Sequence, residues 1–274
     1  MSAAVQAGRT QCAKNGLRVV TLVAACLIAW QSVVAVTPVR VAATAEQPPA
    51  PGIAALQPSQ PPPARFLAAL RAKIPIAPPT LEGNPYIALE TSKLPSTPAG
   101  SVCGVRFEPD QVHYRLATFA DTTAARTAGF AVTHFGACGT CSTLQDLAVY
   151  LEKPDLTSPV RKCGIRWHVS ARLRCLEDLG FSTACAQTWL YDLQNTRHEC
   201  FGVCVWSWIE GEAPTRKDGR LNDCLQCDED RSGPVFKAIA GRTRRNSGIH
   251  SSIPRPTDEI APVVHDYVPD LAPR

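Results

Sequence analysis

The chain has 274 residues with 28 Lys/Arg, 24 Asp/Glu, 12 Cys and 24 Pro, and a net charge of +4. Residues 1–101 hold eight Lys/Arg and three Asp/Glu, and the remainder holds 20 and 21. A nucleic-acid-binding domain carries its basic face on its folded part, so no nucleic-acid partner is expected.

The N-terminal region reads as a leader. Arg9, Lys14 and Arg18 precede Val19–Val36, which contains no charge. Eighteen uncharged, mainly apolar residues reach the lower limit for spanning a bilayer, and the flanking cations orient the rest of the chain outward. Residues 1–36 are therefore expected to be a cytoplasmic stub with a signal-anchor, and the membrane a partner through this helix. The small-residue sites Val33–Ala35 and Ala43–Ala45 keep cleavage and secretion as the alternative. Either way the C-terminal domain lies outside the cytoplasm, in a periplasm or at the cell exterior.

Residues 37–101 contain 14 of the 24 prolines. Such composition favours an extended linker. "ARFLAALRAKI" interrupts it with Phe66, Leu67 and Leu70, expected to be a transient helix within the linker. The globular domain is placed at 102–252 and a loosely ordered tail at 253–274.

Within the domain, "QVHYRLATF" alternates Val112, Tyr114 and Leu116 as a strand does, and "GFAVTHFG" is a second extended run. From Ser142 the pattern turns helical: Ser142 as N-cap, Gln145 three residues on, then Leu144, Leu147, Ala148 and Leu151 at helical spacing. A helix from Ser170 ends at Gly180, and another, continuing through Cys204, starts after a three-residue connection, which predicts an αα-hairpin. A last helix is expected from Ser232 to Gly248, with Pro234 in its first turn. The fold class is α+β and mainly helical: a small disulfide-rich exported domain with a few N-terminal strands and the αα-hairpin.

Cys12 and Cys26 belong to the leader, which leaves ten cysteines in the domain. In an oxidising compartment these form bridges, whose connectivity the sequence does not fix. Cys103, Cys163, Cys175, Cys185, Cys200, Cys204, Cys224 and Cys227 are the structural candidates. Cys200 and Cys204, one turn apart, are expected to have separate partners, for example on the helix carrying Cys175. The remaining two, Cys138 and Cys141, follow an extended run and precede a helix. Over about twenty residues this resembles the local arrangement of thioredoxin-like oxidoreductases. The resemblance implies Cys138 as attacking thiol, Cys141 as resolving thiol and His134 as an assisting group. It stops there, because helices follow where that fold needs strands and a proline facing the dithiol.

Cys224–Cys227 is a second Cys-x-x-Cys, with 82 residues between Cys141 and Cys224, too distant for a compact four-cysteine zinc site. With His198 nearby, a Cys/His metal-binding domain is a lesser alternative; no metal ligand set is assigned. No phosphate-loop or dinucleotide fingerprint occurs, and no cofactor is expected. "GRTRRNSG" places Arg242, Arg244 and Arg245 where they could clamp an anion, although a solvated helix end explains them as well. Trp206 and Trp208 are expected in the core.

The expected function is a membrane-tethered or exported, disulfide-stabilised ectodomain with a binding or structural role. Its partner would be an anionic small molecule or a protein. The alternatives are an extracytoplasmic thiol–disulfide oxidoreductase using Cys138 and Cys141, and the metal-binding domain.

Overall fold

The computed structural model describes residues 61–88, 94, 97–253 and 257–267. The expected leader at 1–36, Cys12, Cys26, residues 37–60 of the expected linker and the end of the tail lie outside them. Among the described residues no helix is long and apolar enough to cross a membrane.

The described chain opens with helix α1 (Ala64–Arg71), strand β1 (Ile74–Pro75) and a short helix α2 (Pro85–Ala88). Strands β2 (Val102–Phe107) and β3 (His113–Phe119), helix α3 (Thr122–Thr127) and strand β4 (Ala131–Phe135) follow. The rest is helical: α4 (Leu144–Glu152), α5 (Thr157–Gly164), α6 (Val169–Asp178), α7 (Thr183–Glu199), α8 (Phe201–Ile209), α9 (Asp223–Arg231) and α10 (Gly233–Ala240). Single 3-10 turns occupy Arg245–Ser247 and Thr257–Glu259. The fold is mixed α/β, with one small sheet beside a larger helical part.

The sheet order is β1-β3-β2-β4. β2 runs antiparallel to both neighbours, and β1 lies parallel to β3 at the edge. The backbone N–H groups of Ile74 and Ile76 donate to the carbonyls of Val112 and Tyr114 at 3.0 and 2.9 Å. The sheet is thus not a set of strands at the N-terminal end of a domain starting at 102. Its edge comes from the stretch expected to be a linker.

The same stretch supplies part of the core. Phe66, Leu67 and Leu70 share one face of α1 and are buried in one cluster with Leu144, Leu147 and Ala148 of α4. Their helical spacing makes an apolar stripe. That stripe is satisfied here by docking, so the expectation of a transient helix is overturned. The tail packs as well. The Ala261 N–H donates to the Arg245 carbonyl at 2.8 Å, and His265 Nε2 donates to the Ser247 carbonyl at 2.8 Å. Tyr267 reaches the Phe107 ring at 6.5 Å.

Helix boundaries follow local chemistry. The N-cap of α4 is Thr143, not Ser142, and its Oγ1 accepts from the Asp146 N–H at 3.0 Å. The hydroxyl of Tyr114 accepts the Leu144 N–H at 3.0 Å, tying β3 to the start of α4. Ser182 caps α7. The helix expected to run through Cys204 is two helices, because Cys200 leaves helical geometry at φ −116° and ψ 10°. α10 stops at Ala240 rather than continuing to Gly248. There Gly241 takes φ +71° and meets Gly139 backbone to backbone, where a Cβ on Gly241 would lie 2.5 Å from the Gly139 nitrogen. A side chain at either position would block the contact.

Five disulfides join Cys103 to Cys138, Cys141 to Cys185, Cys163 to Cys175, Cys200 to Cys227 and Cys204 to Cys224. Each bridge of this kind typically contributes about 2–4 kcal/mol. Such a set persists in an oxidising, extracytoplasmic environment.

Because α1 is core, Leu70→Ala should cost about 2–5 kcal/mol in chemical denaturation, the range for a fully buried leucine. A chain starting at residue 101 should be insoluble or unfold without a cooperative transition. A soluble, cooperative 101–274 fragment would show that α1 is dispensable.

Candidate functional site

The cysteines come first, since the sequence offered them as a reactive pair. Cys138 and Cys141 are not bonded to each other: one holds β2 through Cys103, the other holds α7 through Cys185. The vicinal dithiol that the oxidoreductase reading requires is therefore replaced by two long-range staples. Both members of the second Cys-x-x-Cys are likewise committed, Cys227 to Cys200 and Cys224 to Cys204. Cys175 bonds Cys163, so it is not the partner expected for Cys200 or Cys204. With all ten domain cysteines cross-linked, the metal-binding alternative loses its thiolate donors. Among the described residues no group of three or more His, Cys, Asp or Glu is placed to hold a metal.

His134 is fully buried on β4. Its Nδ1 lies 2.9 Å from the Phe135 carbonyl and its Nε2 2.7 Å from Ser142 Oγ. A carbonyl only accepts, so Nδ1 carries the proton and Nε2 accepts from the serine hydroxyl. Ser142 Oγ in turn accepts the Gly139 N–H at 2.8 Å. Burial holds His134 well below the usual imidazole range, with the Arg242 charge acting in the same direction. The Ser–His distance suits a nucleophile and its base. Both side chains are enclosed, however, and the arrangement fixes the loop that carries Cys138 and Cys141.

The arginines are also turned inward. Arg242 is 0% exposed. Its guanidinium donates to the Cys141, Thr133 and Ser142 carbonyls at 3.1, 3.0 and 3.1 Å, and to Thr133 Oγ1 and Ser247 Oγ at 2.7 and 3.2 Å. Arg244 donates to the Tyr150 carbonyl at 2.7 Å and to that of Lys153. Burial brings its pKa down to about 10. Arg245 pairs with Glu259 at 2.7 Å. Carbonyls and a carboxylate of the protein itself occupy the donors that an anion would need, so the anion clamp is not assembled. The run "GRTRRNSG" is polar because it stitches backbone together.

What the sequence did not single out is a cavity of about 690 Å³ among the helices. Its walls are mainly apolar: Leu156 and Val160 from the α5 region, Trp189 and Leu193 on α7, Leu225 on α9 and Phe236 on α10. Polar groups converge at two places. Tyr150 and Trp189 both line it, and the enclosed Tyr150 hydroxyl and Trp189 indole N–H interact with each other but have no other polar partner among the described residues. Tyr150 is 3% exposed, and burial pushes its hydroxyl pKa upward. Trp189 is held by ring contacts with Phe181 at 5.9 Å and Phe236 at 4.6 Å.

The second polar place is a pair of carboxyls. Asp192 on α7 is buried and accepts from the Tyr86 hydroxyl at 2.8 Å. Asp228 on α9 accepts from the Thr196 hydroxyl, which itself lies 2.7 Å from Ser232 Oγ. Burial, then the charge of Asp228, holds Asp192 well above the usual carboxylate range. Asp228 is raised too, by burial and by Glu229. Two carboxyls in a low-dielectric wall retain protons that water would take from them. Perturbed acids beside an apolar cavity are a recognised mark of a ligand site.

A family of unknown function (DUF8771) matches residues 169–263 of this chain. That stretch carries Trp189, Asp192, Asp228 and the two bridges between α8 and α9. Tyr150, Leu156 and Val160 lie outside it. Comparison with curated proteins and with solved structures finds no match.

Two measurements follow from these networks. Arg242→Lys cannot reproduce a five-bond guanidinium fan, and should destabilise the fold by about 3–5 kcal/mol, the range for breaking a buried charged network. A change below about 0.5 kcal/mol, the size of an ordinary surface substitution, would contradict the clamp. Asp146 accepts from Thr143 Oγ1, Ser182 N–H and Ser182 Oγ at 2.5, 2.7 and 2.8 Å, while burial pushes its pKa up to about 6 from 3.8. An acid with a raised native pKa binds its proton more tightly when folded, so its contribution is lost as pH rises from about 4 to about 6. Relative to the wild type, Asp146→Asn should therefore gain roughly 3 kcal/mol between pH 4 and pH 7. The depressed histidines, His134 and His265, act with the opposite sign but are common to both proteins. A pH-independent difference would refute the assignment.

Proposed function

We propose that this exported, disulfide-stabilised domain is a binding protein for an apolar small molecule carrying a hydrogen-bonding end. The observation that carries this reading is the cavity itself. Its volume falls within the usual range for small-molecule sites, roughly 300–1,000 Å³. The walls supply apolar contact, with the Tyr150 and Trp189 side chains at one end and Asp192 and Asp228 as polar groups at another. Of the arginine run, Arg242 does not line the cavity, whereas Arg244 and Arg245 do, each with a partner inside the protein.

The test is photolabelling of the full chain with a neutral alkyl-diazirine probe, followed by peptide mapping. Label should concentrate on the peptides containing Leu193 and Leu225. Leu225→Trp, which fills the cavity, should lower that labelling about tenfold, equivalent to about 1.4 kcal/mol of binding. Label spread evenly over the surface, or unchanged by Leu225→Trp, would reject the reading.

A further inference from the structure

The mouth of the cavity leaves large apolar side chains in water. α8 has the sequence FGVCVWSWI, and Ser207 alone is buried in it. Phe201, Trp206, Trp208 and Ile209 are exposed, Trp208 by 73%. The turn between α5 and α6 adds Ile165 and Trp167, the latter 94% exposed. Phe201 and Trp208 from one side and Ile165 from the other line the same cavity. The two aromatic clusters therefore flank one opening. Single exposed apolar residues are ordinary, but a cluster around an opening marks an interaction surface.

Charge identifies what the surface meets. From Leu156 to Leu176 there are five Lys/Arg and no Asp/Glu. Arg161, Lys162, Arg166 and Arg174 are exposed around Trp167. Glu210 and Glu212 end the patch beyond Ile209, and Glu212 accepts from the Ser207 hydroxyl at 2.7 Å. Indoles beside arginines are the side-chain chemistry of a bilayer interface, where rings sit at headgroup depth and cations meet anionic phosphates. A cavity lined by apolar side chains, opening through that same surface, is filled from the phase in which apolar ligands dissolve. The charge-free run Val19–Val36, expected as an anchor, would keep the domain beside such a phase.

We propose that α8 and the α5–α6 turn dock on an anionic lipid surface, and that the cavity takes an amphiphile from the bilayer through the mouth between them. The ligand part rests on the binding reading above; the docking part does not. Cross-linking to α9 through Cys200–Cys227 and Cys204–Cys224 holds α8 in place while its outer face stays in contact with solvent or lipid.

The experiment uses the full chain carrying Trp30→Phe, reconstituted with vesicles of phosphatidylcholine and phosphatidylglycerol, with and without bromine on the acyl chains. Trp167, Trp206 and Trp208 report bilayer contact, and Trp189→Phe is added to the chain used for quenching so that brominated lipid in the cavity does not contribute. Bromine should lower the emission about twofold, as expected for indoles seated at the interface. Equal emission in the two vesicles would overturn the docking. Arg166→Glu with Ile209→Asp, neither of which lines the cavity, should abolish the quenching and keep the alkyl-diazirine label near Leu193 and Leu225. Quenching unchanged by that pair would also overturn docking through this face. Quenching retained by the unaltered patch without cavity labelling would leave the docking standing and remove the ligand.

Discussion

A single buried cation joins the two parts of this molecule. Arg242 has no carboxylate against its guanidinium; its charge is met by three backbone carbonyls and two hydroxyls. These belong to β4, to the turn before α4 and to the 3-10 turn after α10. The arginine therefore fixes where the sheet ends, where the helical part begins and where the chain returns. Its reach depends on the approach of Gly139 to Gly241. There the Thr140 and Cys141 N–H groups donate to the Ile239 and Ala240 carbonyls, both at 2.9 Å. The Cys141–Cys185 bridge leaves from the same turn and carries the junction on to α7. Asp146 adds a further tie by receiving the caps of α4 and α7 together.

Away from that junction the means of stabilisation change. α1, α4, the end of α6 and the first half of α7 are held by buried apolar area, with Leu70, Leu144, Leu147 and Leu176 wholly enclosed. No residue of α9 is fully buried, its inward side chains being half-buried, and α8 has one fully buried residue. Hydrophobic burial cannot place two such helices, so covalent bonds do. That division leaves room for the cavity. An unfilled apolar space costs stability in proportion to its size, and cross-links around its wall supply stability without filling it.

Much of this architecture is readable in the chain, and the failures share a cause. An oxidised cysteine set, a helical second half and the short link between α6 and α7 all rest on local patterns. What local patterns do not carry is the partner across space. The triplet Phe66, Leu67 and Leu70 has core spacing, but proline-rich surroundings hide the fact that α4 waits for it. Cys138 and Cys141 look paired because only two residues separate them, whereas Cys103 and Cys185 are 35 and 44 residues away. Arg242, Arg244 and Arg245 suggest an external anion because sequence does not reveal that backbone carbonyls converge on them. Trp206 and Trp208 illustrate the reverse error. Size and apolarity argue for the core, and only the fold places them outside it.

The double staple on α8 has an evolutionary consequence. In an ordinary amphipathic helix, changing an apolar residue risks unfolding, because the same side chains supply stability and contact. Here position is encoded by Cys200, Cys204, Cys224 and Cys227, and the outward residues carry little of the folding energy. Phe201, Trp206, Trp208 and Ile209 can therefore be exchanged one at a time at small cost to the fold. A protein built this way can change what it recognises without first acquiring spare stability, and its recognition surface can diverge faster than its scaffold.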